Sequence, residues 1–259
     1  MEREHPVVVV SGASSGIGQA LAARYAERGA VLGLIARRET GLRQLSARLG
    51  VPHRIYALDV RNARDLTAAA EDFMSYHGCP DIVIASAGVS VGTLGAYAED
   101  ISVFQDILDI NVLGTARTFQ PFIASMQKNG RGKLVGIASV AGYRGLPGAG
   151  AYSASKAALI SYLESLRVEL GRTGISVTTI CPGYVATPMT ARNPYPMPFL
   201  MNADAAARKM ISAIARGKTH AVIPWQMAIV ARLLRLAPDL LYDRLFANTP
   251  RKPRRGDAR

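Results

Sequence analysis

The chain is poor in the residues that build disulfide frameworks and metal centres. Its 259 residues include two cysteines, Cys79 and Cys181, and four histidines that are scattered along the sequence. Two isolated cysteines make no disulfide framework, and their spacing from the histidines matches no metal site. We therefore expect no metal, and a reducing cytoplasm as the compartment.

Long apolar runs and an export signal are also lacking. The polar residues 1–6 lead straight into a run of four valines at 7–10, without a charged leader, a long apolar region and a small-residue cleavage site. The apolar stretch 225–247 is broken by Arg232, Arg235 and Asp239 and is too interrupted to span a bilayer. A cytoplasmic protein is the expectation.

Acidic residues are outnumbered by basic ones, 19 against 31, which gives a formal net charge of +12. A nucleic-acid reader usually concentrates its basic residues on one face or motif, whereas this excess is diffuse, so we expect no nucleic-acid partner. One cluster stands at the end of the chain, Arg251, Lys252, Arg254 and Arg255. It has two interpretations, a solvated, disordered tail or attraction to an anionic membrane surface.

Short β-branched runs alternate with longer amphipathic stretches, a pattern typical of βαβ units. The predicted strands are 7–10, 31–36, 54–58, 82–85, 133–138, 176–181 and 221–223. The predicted helices include 19–27, 63–76, 103–126, 154–170 and 203–214. We predict one α/β domain over 1–223, with a seven-stranded parallel sheet and helices on both faces, followed by an apolar helical extension and basic tail over 224–259.

Two apolar segments lie outside this pattern. Residues 188–202 contain four prolines and form a long loop, yet they also carry Met189, Met197, Phe199, Leu200 and Met201. That composition suits a pocket for an apolar ketone or alcohol, with core packing as the alternative. Residues 225–247 have three interpretations: a subunit interface, a cover over the substrate site, or an amphipathic membrane contact.

A glycine-rich turn joins the first strand to the first helix. Its candidate cofactor residues are Gly12, Ser14, Ser15, Gly16, Ile17 and Gly18. Glycines allow the backbone to turn tightly and approach a pyrophosphate, whose charge is stabilised at the positive end of the helix. The position between strand and helix therefore predicts a dinucleotide site.

The end of the second strand indicates which dinucleotide is bound. A carboxylate there binds a free ribose 2′-hydroxyl, whereas an arginine accommodates a 2′-phosphate. This chain has Arg37 and Arg38, with no carboxylate before Glu39. The sequence thus predicts NADP(H) in preference to NAD(H).

Tyr152 and Lys156 lie four residues apart at the start of a helical segment, so their side chains share one face. A nearby ammonium is expected to lower the phenol's pKa, which suits a group that donates or accepts a proton. Ser139 follows the preceding strand at the carboxyl edge of the sheet, where its hydroxyl can bond to a substrate oxygen.

In spacing and order these motifs resemble the short-chain dehydrogenase/reductase family, over about residues 7–223. The glycine turn is similar to the family's Gly-x-x-x-Gly-x-Gly, with Ser11 in place of threonine, and 85–88 resemble its Asn-Asn-Ala-Gly element with both asparagines missing. The resemblance implies a Rossmann-like doubly wound fold. It also implies these further cofactor contacts: Asp59, Val60, Ala87, Gly88, Pro182, Gly183, Val185 and Thr187.

By the same resemblance, Tyr152 is the general acid/base, Lys156 its partner and a ribose contact, Ser139 the polariser and Asn111 the anchor of a proton relay. The implied activity is hydride transfer between NADP(H) and a carbonyl or secondary alcohol, here a lipophilic one. The alternative is a non-catalytic NADPH-binding sensor. We expect a homo-dimer or homo-tetramer, with membrane contact as one role of the 224–259 segment.

Overall fold

A computed structural model describes residues 5–256. The strands are β1 (Val7–Ser11), β2 (Val31–Ala36), β3 (His53–Ala57), β4 (Ile82–Ala85), β5 (Gly132–Ile137), β6 (Ile175–Pro182), β7 (Val185–Ala186), β8 (Met201–Asn202) and β9 (His220–Ile223). The helices are α1 (Gly16–Ala26), α2 (Glu39–Ser46), α3 (Ala63–His77), α4 (Asp100–Leu108), α5 (Gly114–Lys128), α6 (Gly150–Glu169), α7 (Ala203–Ala215), α8 (Trp225–Leu236) and α9 (Asp239–Phe246).

Seven of the strands form one parallel sheet in the order β3-β2-β1-β4-β5-β6-β9. The predicted α/β fold, with its seven parallel strands, is confirmed. The strand order reverses between β1 and β4, because β2 and β3 are added on one side and β4 onwards on the other. Ligands of open α/β sheets bind outside the carboxyl ends of the strands at such a reversal.

Helices cover both faces of the sheet, and each face has its own apolar core. On one face Leu21 of α1 and Met210 of α7 are fully buried against the strands. On the other face Phe73 of α3, Phe119 of α5 and Leu163 of α6 fill the same role. Because both faces are buried, the strands read as continuous apolar runs, and this is why they were predictable.

The single helix predicted over 103–126 is wrong in detail. It is two helices, α4 and α5, joined by a π-helical turn over Asp109–Leu113. The turn contains Asn111, whose side chain bonds outside its own helix. The loop predicted over 188–202 is mostly irregular, but its last two residues form β8, which pairs in parallel with β7.

The C-terminal helices pack on the loop that follows β5. Arg144 donates to the carbonyl oxygens of Leu234 and Ala237 and pairs with Asp239, and Tyr242 donates to the carbonyl oxygen of Gly145. Many apolar side chains of α8 and α9 nevertheless remain exposed. Among the helices of residues 5–256, none has the length and apolar composition needed to cross a bilayer.

The last described residues, 250–256, form an extended segment that we call the strap. Its interpretation as a solvated, disordered tail is wrong. Lys252 is only 9% exposed, and Arg254 pairs with Asp100 while its guanidinium lies 3.6 Å from the centroid of the Tyr97 ring. Ion pairs and stacking thus fix the strap on the protein surface.

Candidate active site

A cleft of about 1040 Å³ opens at the carboxyl ends of the strands. Every predicted cofactor residue lines this cleft: Gly12, Ser14, Ser15, Gly16, Ile17, Gly18, Arg37, Arg38, Asp59, Val60, Ala87, Gly88, Tyr152, Lys156, Pro182, Gly183, Val185 and Thr187. Ser139 lines it as well. Asn111 is fully buried behind the cleft wall. The residues picked from distant motifs therefore share one site.

The glycine turn approaches neighbouring backbone too closely for side chains. Gly12 has φ +72°, and a Cβ there would lie 2.7 Å from the backbone nitrogen of Ala87. A Cβ on Gly18 would overlap the carbonyl oxygen of Gly12. The turn delivers the chain to the N-terminus of α1, whose first turn has no acidic residue and whose N-cap Ser15 makes no side-chain capping bond.

This arrangement fits a dinucleotide. The first amides of a helix point outward without intrahelical partners and, with the helix dipole, favour an anion. The fit rests on the open N-terminus of α1 and on the backbone approach that only glycine permits at Gly12 and Gly18.

Two arginines form the far edge of the cleft, after β2. Arg37 and Arg38 are both exposed, and Arg38 makes no capping bond to α2. Arg37 approaches Asp59 at 3.8 Å, a distance that leaves its donors available, while Asp59 is held by Arg61 at 2.8 Å. This edge can accept a phosphate group.

Tyr152 lies in the first turn of α6 and faces Ser139. Burial raises the pKa of Tyr152 above its ordinary value, and a hydrogen bond with Ser139 opposes that rise. The expectation of a lowered pKa is wrong for this structure, because burial outweighs the other effects. Ser139 Oγ accepts from the backbone nitrogen of Ala141 at 3.1 Å, so the hydroxyl proton remains free to be donated.

Lys156 is the buried cation of the site and is only 4% exposed. Its Nζ lies 5.7 Å from the centroid of the Tyr152 ring and donates to the carbonyl oxygen of Ile137 at 2.8 Å. Burial lowers the pKa of Lys156 to about 8. The ammonium is therefore held beside the phenol without a carboxylate partner among the described residues.

Asn111 positions the loop after β4. Its Oδ1 accepts from the backbone nitrogen of Val89 at 2.8 Å, and its Nδ2 donates to the carbonyl oxygen of Val89 at 3.0 Å and to Ser155 Oγ at 2.9 Å. Ser155 is next to Lys156 in α6. The π-helical turn at Asp109–Leu113 presents this amide to both elements, and π turns occur often at functional sites.

The cleft also contains residues that the sequence motifs did not predict. They include Ser90 and Val91 in the loop after β4, Met189, Thr190 and Arg192 in the 188–202 loop, and Lys252 to Arg255 in the strap. The apolar character of Met189 is visible in the sequence. The basic cluster of the strap was visible in the sequence, but no pattern indicated where it docks.

Comparison with known proteins gives a family match. Residues 6–196 match the family model described as short chain dehydrogenase. A protein of Myxococcus xanthus described as an uncharacterized oxidoreductase is 40% identical over 245 residues, covering 93% of this chain and 96% of that protein. The 11-beta-hydroxysteroid dehydrogenase-like 4A of Arabidopsis thaliana is 33% identical over 251 residues, covering 91% of this chain and 82% of that protein.

Solved structures give the same fold. A short chain dehydrogenase from Burkholderia cenocepacia J2315, solved in complex with NADP, superposes with a TM-score of 0.82 at 25% identity. The match covers 96% of this chain and 100% of that chain.

Proposed function

The chain belongs to the short-chain dehydrogenase family and is an oxidoreductase; from that premise we propose that it uses NADP(H) to interconvert a lipophilic carbonyl compound and its secondary alcohol. The observation that carries the proposal is the placement of Ser139, Tyr152 and Lys156 together in the cleft lined by the phosphate-binding turn. NADPH, when bound, supplies a hydride to the carbonyl carbon.

Three side chains act on the substrate oxygen in this proposal, Ser139 and Tyr152 directly and Lys156 through Tyr152. The Ser139 hydroxyl donates a hydrogen bond to that oxygen as negative charge develops on it. Tyr152 then donates its proton, and its raised pKa keeps the phenol protonated at neutral pH. Lys156 stabilises the phenolate that remains, because its ammonium lies 5.7 Å from the centroid of the Tyr152 ring.

The preference for NADP(H) rests on the two arginines at the cleft edge. In the part of the chain that the structure describes, no carboxylate lies close enough to either arginine to occupy all its donors. A planar guanidinium binds a phosphate with paired hydrogen bonds. The related structure from Burkholderia cenocepacia is a complex with NADP, but other solved neighbours are complexes with NAD, so the preference is proposed from the two arginines alone.

Arg37→Ala tests the cofactor preference. We expect the affinity for NADPH to fall about 10- to 100-fold, since one charge-assisted contact to phosphate is lost, and that for NADH to change little. Arg48→Ala, at an exposed arginine outside the cleft, is the control. An equal loss for both cofactors would contradict the proposal.

The lipophilic substrate is proposed from the cleft lining and from a relative. Val89, Val91, Ile110 and Met189 give the catalytic part of the cleft an apolar wall. The Arabidopsis thaliana relative with 33% identity is named hydroxysteroid dehydrogenase-like, and steroids are an apolar class of compound. An apolar pocket selects its ligand by burying apolar surface, and the few polar groups in the pocket orient the ligand through hydrogen bonds.

The activity test supplies NADPH with a panel of aromatic and medium-chain ketones. We expect oxidation of NADPH, with the rate lost in Tyr152→Phe while NADPH binding is retained. Tyr76→Phe, at an exposed tyrosine on α3, is the matched control and keeps the rate. Tight NADPH binding without turnover of any ketone would favour the sensor, which the intact Ser139, Tyr152 and Lys156 argue against.

We also propose that α8 and α9 contact an anionic membrane surface. They expose seven large apolar side chains: Trp225, Ile229, Leu233, Leu236, Leu240, Leu241 and Leu245. Exposed arginines flank them, Arg232, Arg235 and Arg244. Apolar and basic side chains on one amphipathic surface support contact with the interface of a membrane.

Liposome co-sedimentation at low salt measures this contact. We expect binding to vesicles that contain phosphatidylglycerol and loss of binding in Leu236→Gln/Leu240→Gln, whereas Val168→Gln on α6 has no effect. Light scattering follows the proposed homo-dimer or homo-tetramer in parallel. The membrane proposal fails if the wild-type protein does not bind vesicles and the double variant no longer forms the oligomer. In that case the exposed surface of α8 and α9 is a subunit interface.

A further inference from the structure

The strap docks on the loop that follows β4 through a backbone contact. The nitrogen of Gly92 donates to the carbonyl oxygen of Pro253 at 3.0 Å. A Cβ on Gly92 would overlap the carbonyl oxygen of Lys252, so glycine is required at this point of approach. The strap and this loop thus form one wall of the cleft.

Side chains of α4 fix the strap beyond that contact. Arg254 Nε donates to Asp100 at 2.8 Å, and Arg254 Nη2 donates to Glu99 at 2.9 Å. The Arg254 and Asp100 side chains are only 15% and 7% exposed. Ion pairs that are shielded from water have well-defined geometry. Lys252 is two residues before Arg254 in the strap, so these pairs fix its position.

Lys252 is nine-tenths buried and lines the cleft. Its Nζ donates to Ser90 Oγ at 2.9 Å, and no carboxylate of residues 5–256 pairs with it. Burial lowers the pKa of Lys252 to about 8. An ammonium that is removed from water and, among residues 5–256, bonded only to a hydroxyl is costly unless a ligand supplies the missing negative charge.

The sheet order indicates which part of the ligand lies near this ammonium. Ser90 is two residues after Gly88, and a Cβ on Gly88 would be 3.7 Å from the Nζ of Lys156. The loop follows β4, which neighbours β5 and its Ser139, whereas Arg37 and Arg38 follow β2, two strands away. Two strand spacings are about 10 Å, so Lys252 belongs to the catalytic half of the cleft.

We propose that Lys252 and Ser90 bind an anionic group of the substrate, so that the carbonyl compound bears a carboxylate in addition to its apolar part. The inference rests on the proposed function and narrows its substrate class. The carboxylate accepts hydrogen bonds from Lys252 and Ser90, while the carbonyl oxygen lies at Ser139 and Tyr152. No bond is made or broken at Lys252, which acts only in recognition.

The test compares aromatic keto acids of increasing chain length with their methyl esters, beginning with 3-benzoylpropionate. Each is titrated into the NADPH complex, and binding is measured by calorimetry, which needs no turnover. We expect at least one acid to bind more tightly than its ester. Lys252→Met should weaken that acid about 10- to 100-fold and leave its ester unchanged, because one charged hydrogen bond is lost.

Two further variants make the result specific. Ser90→Ala should weaken the acid several-fold, and Lys218→Met, the same substitution at an exposed lysine, should have no effect. Thermal midpoints check that each variant is folded. The proposal is overturned if no acid binds better than its ester, or if Lys252→Met weakens acid and ester alike.

The anion could also belong to the cofactor, and the same titrations separate the two sources. NADPH affinity is measured for Lys252→Met without any ketone. An unchanged value supports the substrate carboxylate, whereas a loss as large as that for the acid assigns Lys252 to the cofactor and overturns the proposal. Reduction of the esters by NADPH tests the proposed function separately, since it does not involve the anion site.

Discussion

At the scale of single residues, burial governs the protonation of the catalytic pair. It raises the pKa of Tyr152 and lowers that of Lys156, in each case because the charged form loses its hydration. The phenol of Tyr152 is therefore held in its neutral form, whereas Lys156 is still mostly an ammonium at pH 7 but loses its proton more readily than an exposed lysine does. A buried lysine with a pKa of about 8 changes charge near physiological pH, which suits a group that assists proton transfer.

The low pKa of Lys156 has a consequence for stability. Its folded pKa of about 8 lies below the unfolded value of 10.5, so the unfolded chain binds more protons between those values. Burial of the charged Lys156 therefore lowers the free energy of unfolding by its full amount below pH 8. This loss disappears as the pH rises towards 10.5. We expect wild type to gain about 2 kcal/mol relative to Lys156→Met between pH 7 and pH 10.

Urea unfolding at a series of pH values measures this difference. Subtracting the unfolding free energy of Lys156→Met from that of wild type at each pH cancels the titration of groups that both proteins share. Lys218→Met, at an exposed lysine, should show a stability difference that is flat with pH. A flat difference for Lys156→Met as well would show that the ammonium is not desolvated.

Asn111 is a positioning residue whose loss should damage both stability and turnover. Asn111→Ala leaves the backbone nitrogen and carbonyl of Val89 without their side-chain partner in a partly buried position. We expect the free energy of unfolding to fall by about 2–4 kcal/mol and kcat to fall more than KM rises. Urea unfolding and steady-state kinetics measure these changes.

Asn129→Ala, at the exposed end of α5, is the matched control for Asn111→Ala. It should leave kcat, KM and the unfolding free energy close to wild type. A variant Asn111→Ala that is less stable but retains full kcat would limit Asn111 to a purely structural role.

The residues that sequence analysis identified from spacing alone share a short-range signature. Tyr152 and Lys156 are one helical turn apart, and the glycines of the first turn are contiguous, so local spacing reveals them. Ser90 and Lys252 are 162 residues apart in the chain and meet only in the folded protein. No local pattern predicts such a pair.

At the scale of secondary structure, Arg144 binds the C-terminal helices α8 and α9 to the loop that follows β5. It caps the end of α8 through the carbonyl oxygens of Leu234 and Ala237, and its guanidinium lies 4.3 Å from the centroid of the Tyr242 ring in α9. The Arg144 side chain is 19% exposed, so these bonds are sheltered from water.

Arg144→Met should therefore release α8 and α9 from the domain. We expect amide hydrogen exchange in α8 and α9 to speed up about 10- to 100-fold, since several bonds from a charged donor are lost, with the central strands unchanged. Arg172→Met, at an exposed arginine, is the control. Uniform acceleration across the sheet would instead indicate global destabilisation.

Secondary structure was predictable where burial is continuous. The strands β2 and β4 were predicted to the residue, because a strand covered on both faces is a short run of apolar residues. The division of 103–126 into α4 and α5 was missed, since local periodicity does not reveal the π-helical turn or the long-range bonds that Asn111 makes from it to Val89 and Ser155. The pairing of β7 with β8 was missed because strands of two residues have no periodicity.

At the scale of the whole molecule, the cleft joins parts of the chain that are far apart in sequence. Its lining comes from the loops after β1 to β6, from the π-helical turn, from the start of α6 and from the strap. The alternation of strands and helices predicted the parallel sheet, but the docking of the strap depends on Gly92 and on the ion pairs of Arg254, which the sequence does not place together.

Because so many elements line one cleft, NADPH should stabilise the molecule as a unit. A ligand present at 100 times its Kd adds about 2.7 kcal/mol to the free energy of unfolding. For a chain of this size we expect the thermal midpoint to rise by about 5–10 °C. NADH at the same concentration should raise it less, because it offers no phosphate to Arg37 and Arg38. Differential scanning calorimetry over a range of cofactor concentrations measures both shifts. If NADPH raises the thermal midpoint of Arg37→Ala as much as that of wild type, Arg37 does not determine the choice of cofactor.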